Sequence, residues 1–284
     1  MEYASHASEP RTERKRLIGF HGYLRLRRYL SRLHILRWLH SSRFVPVGNL
    51  LLRLDRTLLR FFPPDVRLRH EFNLWAEKGL GESMEVDHLW FTERTLSRMR
   101  ISSADRILDL GCGEGWACRL IAARLGDLCP VVGLDVADEM VRRARTKSSP
   151  FAKVSFLCGS AEHIPCREKV FTKVLSVSAF YYFEHQERVL RELLRVVVPA
   201  GQLFLLIALY KDLLNWHDSA RGLRVPVHVR SADEYTSMLR AAGWMDVQAQ
   251  ELVRERHPSS KTGGHNRALL ISAQRSALES AISP

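Results

Sequence analysis

The 284-residue chain has no long apolar run: its longest, Leu203–Tyr210, falls far below the roughly 20 residues that span a bilayer. Its five cysteines, Cys112, Cys118, Cys129, Cys158 and Cys166, form no C-x-x-C pair, and several lie in apolar segments. That pattern argues against a zinc site or a disulfide framework and for a reducing, cytoplasmic setting, with no metal expected. No internal repeat or low-complexity tract interrupts the chain. With 46% hydrophobic and 26% charged residues, the composition is that of an ordinary globular protein.

Acids are missing from one region. Residues 14 to 54 contain none, and residues 1 to 70 hold 15 of the 43 Lys+Arg against five of the 31 Asp+Glu. The local net charge is therefore +10 of the total +12, so the basicity belongs to an appendage and the remainder is nearly neutral. Residues 1 to 16 are polar and read as disordered. Leu17 to Leu39 reads as a basic helix, with Tyr23, Leu26, Leu30 and Leu33 on one stripe and Arg25, Arg28 and Arg32 on another. After the break at Pro46-Val47-Gly48, a second stretch runs through Phe62 and ends at Pro63-Pro64. Three readings of the arm stand open. Its helices cover the core, or residues 14–62 reach a membrane surface or anionic partner, or the segment is a targeting peptide or a misassigned start. The expected division is 1–70, a basic extension, and 71–284, the catalytic domain.

From Glu71 strands and helices alternate. Helices are expected over Phe72–Lys78 and Val86–Arg100. Strands are expected at Arg106–Leu110, Val131–Asp135, Val154–Leu157, Lys173–Val177 and Gln202–Ala208, separated by helices Ala117–Leu125, Ala137–Arg145 and Glu187–Val196. Such alternation builds right-handed βαβ units and a mostly parallel α/β sheet with helices on both faces. After a late helix, Ala232–Ala242, strands Val247–Val253 and Arg267–Ala273 have no helix between them and should pair as an antiparallel hairpin.

The most informative stretch is Asp109-Leu110-Gly111-Cys112-Gly113-Glu114-Gly115-Trp116. Three alternate glycines follow an apolar strand and precede a helix, whose first N–H groups are free for polar ligand atoms. Such a loop alone is weak evidence of a cofactor. Asp135 closes the next strand 20 residues after Gly115, a spacing that suits a carboxylate gripping the two hydroxyls of a ribose. An adenosyl cofactor follows. A dinucleotide loop would place its third glycine one residue later.

These residues resemble motif I of the class I S-adenosylmethionine-dependent methyltransferases. Asp135-Val136 resembles the family's ribose and adenine-edge position, with Met140 in the next helix. Cys158-Gly159-Ser160-Ala161-Glu162-His163-Ile164-Pro165 resembles G-D-A-E-x-L-P, which frames the adenine. Phe171 to Phe183 resembles the F-D-x-V…S…L-H-H stretch of the fourth strand and active-site rim, and Leu194 to Gly201 resembles R-V-L-K-P-G-G. The likeness covers residues 71 to 275 and is nearest to small-molecule enzymes such as quinone-biosynthesis C-methyltransferases. It implies a Rossmann-like seven-stranded sheet of order 3-2-1-4-5-7-6, with S-adenosylmethionine as cofactor and S-adenosylhomocysteine as its product. The cofactor residues it implies are Asp109, Gly111, Cys112, Gly113, Gly115, Asp135, Val136, Met140, Ser160, Ala161, Glu162 and Ser176. Ser160 stands where relatives carry an aspartate, a loss of roughly 1 kcal/mol in the bond to the adenine amino group. Thr172 replaces the F-D aspartate. Ala200 replaces the first glycine of P-G-G and suits a type I turn.

On the acceptor side Tyr181 and Tyr182 take the family's rim position, although either could simply pack against the following helix. His88 lies on the helix that relatives lay over the cofactor. Trp216, His217 and His228 lie in lid segments, Trp116 is placed to shield the cofactor, and Glu114 and His185 are expected to face solvent. In-line methyl transfer needs positioning above all, and a general base only when the acceptor atom keeps a proton. The leading reading is a methyltransferase of a small molecule. The alternatives are a nucleic-acid or protein methyltransferase using the basic arm, and a non-catalytic cofactor-binding module at a membrane or partner. Ser176-Val177-Ser178-Ala179-Phe180 lacks the Asn/Asp-Pro-Pro-aromatic signature of enzymes that methylate base amino groups, which counts against nucleic acid. The acceptor atom and the oligomeric state are not legible.

Overall fold

A computed structural model describes residues 62–277, apart from 127, 215, 218–224, 256–265 and the side chain of Ser83. The readings made for residues 1–61, including both arm helices and nearly all of the proposed membrane-facing segment, lie outside the described residues, as does Asn215. Residues Pro64–Pro284 form one compact unit. Within it run α1 (Pro64–Glu77), α2 (Gly81–Met99), β1 (Ile107–Leu110), α3 (Trp116–Leu125), β2 (Val131–Asp135), α4 (Asp138–Lys147) and β3 (Val154–Cys158). They are followed by β4 (Phe171–Val177), a 3-10 turn (Phe180–Tyr182), α5 (Gln186–Val196), β5 (Val197–Ile207), α6 (Ala232–Ala241), β6 (Trp244–Val253) and β7 (Arg267–Arg275).

The strands form one seven-stranded sheet in the order β3-β2-β1-β4-β5-β7-β6. β1 to β5 are parallel, while β7 runs antiparallel to both β5 and β6. This is the order expected from the resemblance. Strands buried on both faces favour apolar residues, and β1 shows it at three of its four positions, Ile107, Leu108 and Leu110, with the buried Asp109 the exception. Alternate residues still serve opposite layers. Leu108, Val132, Val174 and Leu205 join α5 and α6 through Leu190, Leu193 and Leu239. Ile107, Val131, Leu175 and Leu206 join α2, α3 and α4 through Phe91, Ile121 and Val141.

Two local outcomes differ from expectation. The first helix starts at Pro64 rather than near Phe72, because Pro at the first helical position is pre-set for helical φ and Asp65 complements the helix N-terminus. The Pro199-Ala200 segment is not a type I turn: Ala200 has φ +60, in the left-handed region. β5 bulges there, since Phe171 pairs with Val197 but Lys173 pairs with Gln202. The bend is so tight that a Cβ on Gly201 would sit 2.4 Å from Val197 Cγ1. A left-handed alanine costs about 1–2 kcal/mol, part of which a glycine returns as unfolded-state entropy. Ala200→Gly should therefore raise unfolding stability by up to about 1 kcal/mol in urea titration; a loss of stability would contradict this strain assignment.

Candidate active site

The carboxyl ends of β1, β2 and β4 meet at one cleft, which opens to solvent. Ligands of open α/β sheets bind at such strand ends, where the strand order reverses. The loop after β1 turns back at once: the N–H groups of Gly111 and Cys112 both donate to the Leu134 carbonyl, at 2.8 and 3.0 Å. Gly111 and Gly115 take φ +75 and +74. A Cβ on Gly111 would lie 2.4 Å from Ala179 Cβ, and one on Gly115 would lie 2.6 Å from the Phe156 ring. Glycine is required at both by close approach as well as by conformation.

Asp135 binds this loop to the neighbouring strand. Its Oδ2 accepts from Gly113 N–H at 2.8 Å and its Oδ1 from Ala137 N–H at 2.9 Å. Burial raises its pKa while these N–H bonds oppose the rise. Each oxygen keeps a further lone pair, so the carboxylate can still accept two ligand hydroxyls. Gly111, Cys112, Gly113, Asp135, Val136, Met140, Ala161 and Tyr182 all line the cleft, as does Trp116.

The other expected residues stand back from it. Asp109 is buried beneath the loop, where Cys118 Sγ donates to its Oδ2 at 3.2 Å, and burial pushes its pKa up to about 7 against that bond. Ser176 spends its hydroxyl on the Leu110 carbonyl at 2.9 Å, tying β4 to β1. Ser160 Oγ accepts from the Glu162 N–H at 3.0 Å, and Glu162 pairs with Arg188 at 3.6 Å. His88 is buried in α2 with Nδ1 2.9 Å from the Met84 carbonyl. Tyr181 packs behind Tyr182 with ring centroids 4.6 Å apart, and its carbonyl accepts from the His228 N–H. Trp216 and His217 stack on each other at 3.7 Å, away from the cleft lining. Burial holds the Tyr182 phenol up at about 12, so it is a neutral donor rather than a base.

Glu114 corrects an expectation. It does not face solvent: its side chain is 3% exposed and pairs with Lys147 and, at 3.5 Å, with Arg143 of α4. A buried carboxylate between two cations is retained where a solvated one would leave the loop loose. Gly81 lets α2 press onto it, since a Cβ there would lie 2.6 Å from Glu114 Cδ.

Sequence reasoning missed the roof. Asp65, Leu68, Phe72 and Trp75 recur at helical spacing along α1 and all line the cleft. Polar contacts clamp α1 on both sides: Arg69 Nε donates to the Val136 carbonyl at 2.9 Å, Asn73 bonds both Asp138 and Glu139 N–H, and Arg67 pairs with Glu184. The signal was present, as a helical stripe beginning directly after Pro63-Pro64, but the division at residue 70 splits it, leaving Asp65 and Leu68 in the extension and Phe72 and Trp75 in the domain.

The family described as a methyltransferase domain matches residues 108–205, a span that contains the glycine loop, Asp135 and the bulge of β5. Residues 108–205 are thus similar to methyltransferase domains, and the strand order agrees with that likeness. Among the relatives of this chain is the 27-O-demethylrifamycin SV methyltransferase of Amycolatopsis mediterranei, 29% identical over 59% of this chain and 64% of that protein. Another is the methyltransferase GfsG of Streptomyces halstedii, 30% identical over 55% of each. The chain thus spans less than two thirds of the length of these curated relatives. A chain from the complex of the Haloferax volcanii Trm112 methyltransferase activator with its methyltransferase partner superposes with a TM-score of 0.65 at 25% identity. It covers 72% of this chain and 98% of that one. Among the described residues, no helix is long and apolar enough to cross a membrane.

Asp109 supplies a pH test. Its folded pKa, about 7, stands above the ordinary carboxylate value, so between roughly pH 4 and 7 the folded state binds the extra proton and stability falls as pH rises. Asp109→Asn should remove up to about 4 kcal/mol of that fall. Urea unfolding at pH 5 and pH 8 checks it: parallel losses in both proteins would mean that Asp109 is ionised throughout.

Proposed function

We propose that the chain transfers a methyl group from S-adenosylmethionine to a small-molecule acceptor held beneath α1. The observation that carries this reading is the juncture of Asp135 with the glycine loop at the floor of a roofed cleft. The cofactor fits what is there: loop backbone at Gly111, Cys112 and Gly113 lining the cleft, and a carboxylate with lone pairs to spare. When bound, the cofactor supplies a methyl group on a positively charged sulfur to an attacking nucleophile.

In this reading Asp135 holds the ribose hydroxyls, and Val136, Met140 and Ala161 enclose the adenine. Gly111, Cys112 and Gly113 present backbone, with Gly115 letting Phe156 pack beneath the loop. Asp109 and Ser176 act from below as positioning residues, and Glu114 fixes the loop against α4 and α2. Ser160 and Glu162 order the segment after β3 through their mutual bond. Tyr182 forms the acceptor-side rim, supported by Tyr181, while His88 stabilises α2 rather than touching a ligand. Residues 1–70 remain a basic extension whose last seven residues, Pro64–His70, open the roof helix. Roof and walls that exclude water and hold the acceptor in line can supply roughly 7–11 kcal/mol of barrier lowering. A small acceptor is supported by the cleft's enclosure and by the demethylrifamycin named for one relative.

Calorimetry with S-adenosylhomocysteine tests the site. Asp135→Ala should weaken binding at least tenfold, because it removes the ribose acceptor and frees the loop it holds. Unchanged affinity would reject the cofactor assignment.

A further inference from the structure

Away from the nucleoside, the cleft changes chemistry. Phe72 and Trp75 of α1 meet Tyr182 of the rim in one aromatic wall, with Phe72 edge-to-face against Trp75 at 5.4 Å and against Tyr182 at 5.0 Å. Asp65 lines the cleft from the first turn of the same helix, on the stripe that carries Phe72. Among the described lining residues the charged groups are Asp65, Glu114 and Asp135, all carboxylates, with no lysine, arginine or histidine. Glu114 is neutralised by Lys147 and Arg143, and Asp135 by two N–H groups. Asp65 makes no ion pair with any described residue, so its charge is the one left to act on an occupant.

A second observation points to a ligand independently. Ser178, just past β4, lines the cleft at 3% exposure with φ +51, and its Oγ makes no hydrogen bond of ordinary geometry. Tyr181 is near enough to feel that hydroxyl without satisfying it. Buried hydroxyls are normally paired, and one held in a strained backbone at a cleft wall awaits a partner.

We propose that the methyl acceptor is an apolar amine, recognised by the Phe72/Trp75/Tyr182 wall, the Asp65 carboxylate and the Ser178 hydroxyl. This rests on the methyl-transfer reading above. Ring faces and a carboxylate both favour a cationic nitrogen. An acceptor carrying a carboxylate or phosphate would meet only like charges on the described walls. A neutral alcohol would bury Asp65 without a counter-charge, which costs free energy. The chemistry balances. The amine nitrogen gives its lone pair to the new N–C bond, and sulfur keeps the pair of the broken S–C bond. The bound ammonium first gives its proton to Asp65, which frees that lone pair, and the methylated nitrogen then carries the positive charge that sulfur loses.

The test uses the full chain saturated with S-adenosylhomocysteine, titrated by calorimetry with three probes on one frame: 1-naphthylmethylamine, 1-naphthylmethanol and 1-naphthoate. The amine should bind at least tenfold tighter than either of the others. Asp65→Asn should close that gap to within threefold while leaving S-adenosylhomocysteine affinity within twofold. Alcohol or carboxylate binding as tightly as the amine overturns the inference, as does an amine preference that survives Asp65→Asn. Should that variant fail to fold, the wild-type ranking of the three probes decides alone. Failure of the wild type to bind S-adenosylhomocysteine before any probe is added would instead remove the methyl-transfer reading beneath it.

Discussion

One carboxylate holds the site in register. Asp135 accepts N–H groups from the glycine loop on one side and from the start of α4 on the other, and so joins the ends of β1 and β2. Without it the loop would lose its side-chain tie to the end of β2, and the start of α4 would lose an acceptor for the Ala137 N–H. The same atoms face the cleft. Structure and ligand recognition therefore draw on different lone pairs of a single group, which is possible because a carboxylate offers about four acceptor sites.

Around that junction the protein treats buried charge in two opposite ways. Glu114 pairs with two cations, Lys147 and Arg143, and serves as a fixed anchor between the loop and α4. Asp109 receives only a thiol, lies beside the Asp135 charge, and is pushed towards its neutral form. A second full charge directly beneath the loop would compete with Asp135 for the same donors. Pairing one carboxyl with cations and pushing the other upward by burial separates their roles by environment rather than by residue type.

The roof completes the cleft from outside the alternating strands. α1 reaches across to Val136, Asp138 and Glu139 on one side and to Glu184 on the other, so both walls of the cleft grip the same helix. Its apolar stripe then faces the ligand space rather than a conventional core. That explains why four large or charged residues of α1 line a cleft although none belongs to the glycine-loop motifs.

Residue pattern alone placed the five parallel strands within a few residues, because strands buried on both faces demand uninterrupted apolar runs and their helices demand a different period. It also located the glycine loop and Asp135, whose spacing reflects covalent reach from one strand end to the next. It did not reveal that Glu114 is buried, that Ala200 is left-handed, that Tyr182 rather than Tyr181 meets the cleft, or that α1 roofs it. Each of these depends on partners distant in sequence: Lys147 for Glu114, β7 and the shifted β4 register for Ala200, Phe72 for Tyr182, and both cleft walls for α1. Local sequence dictates what each segment becomes, since propensity and periodicity act over a few residues. Which side chains finally face the ligand is decided only by tertiary packing, because burial is a property of neighbours the chain brings together by folding.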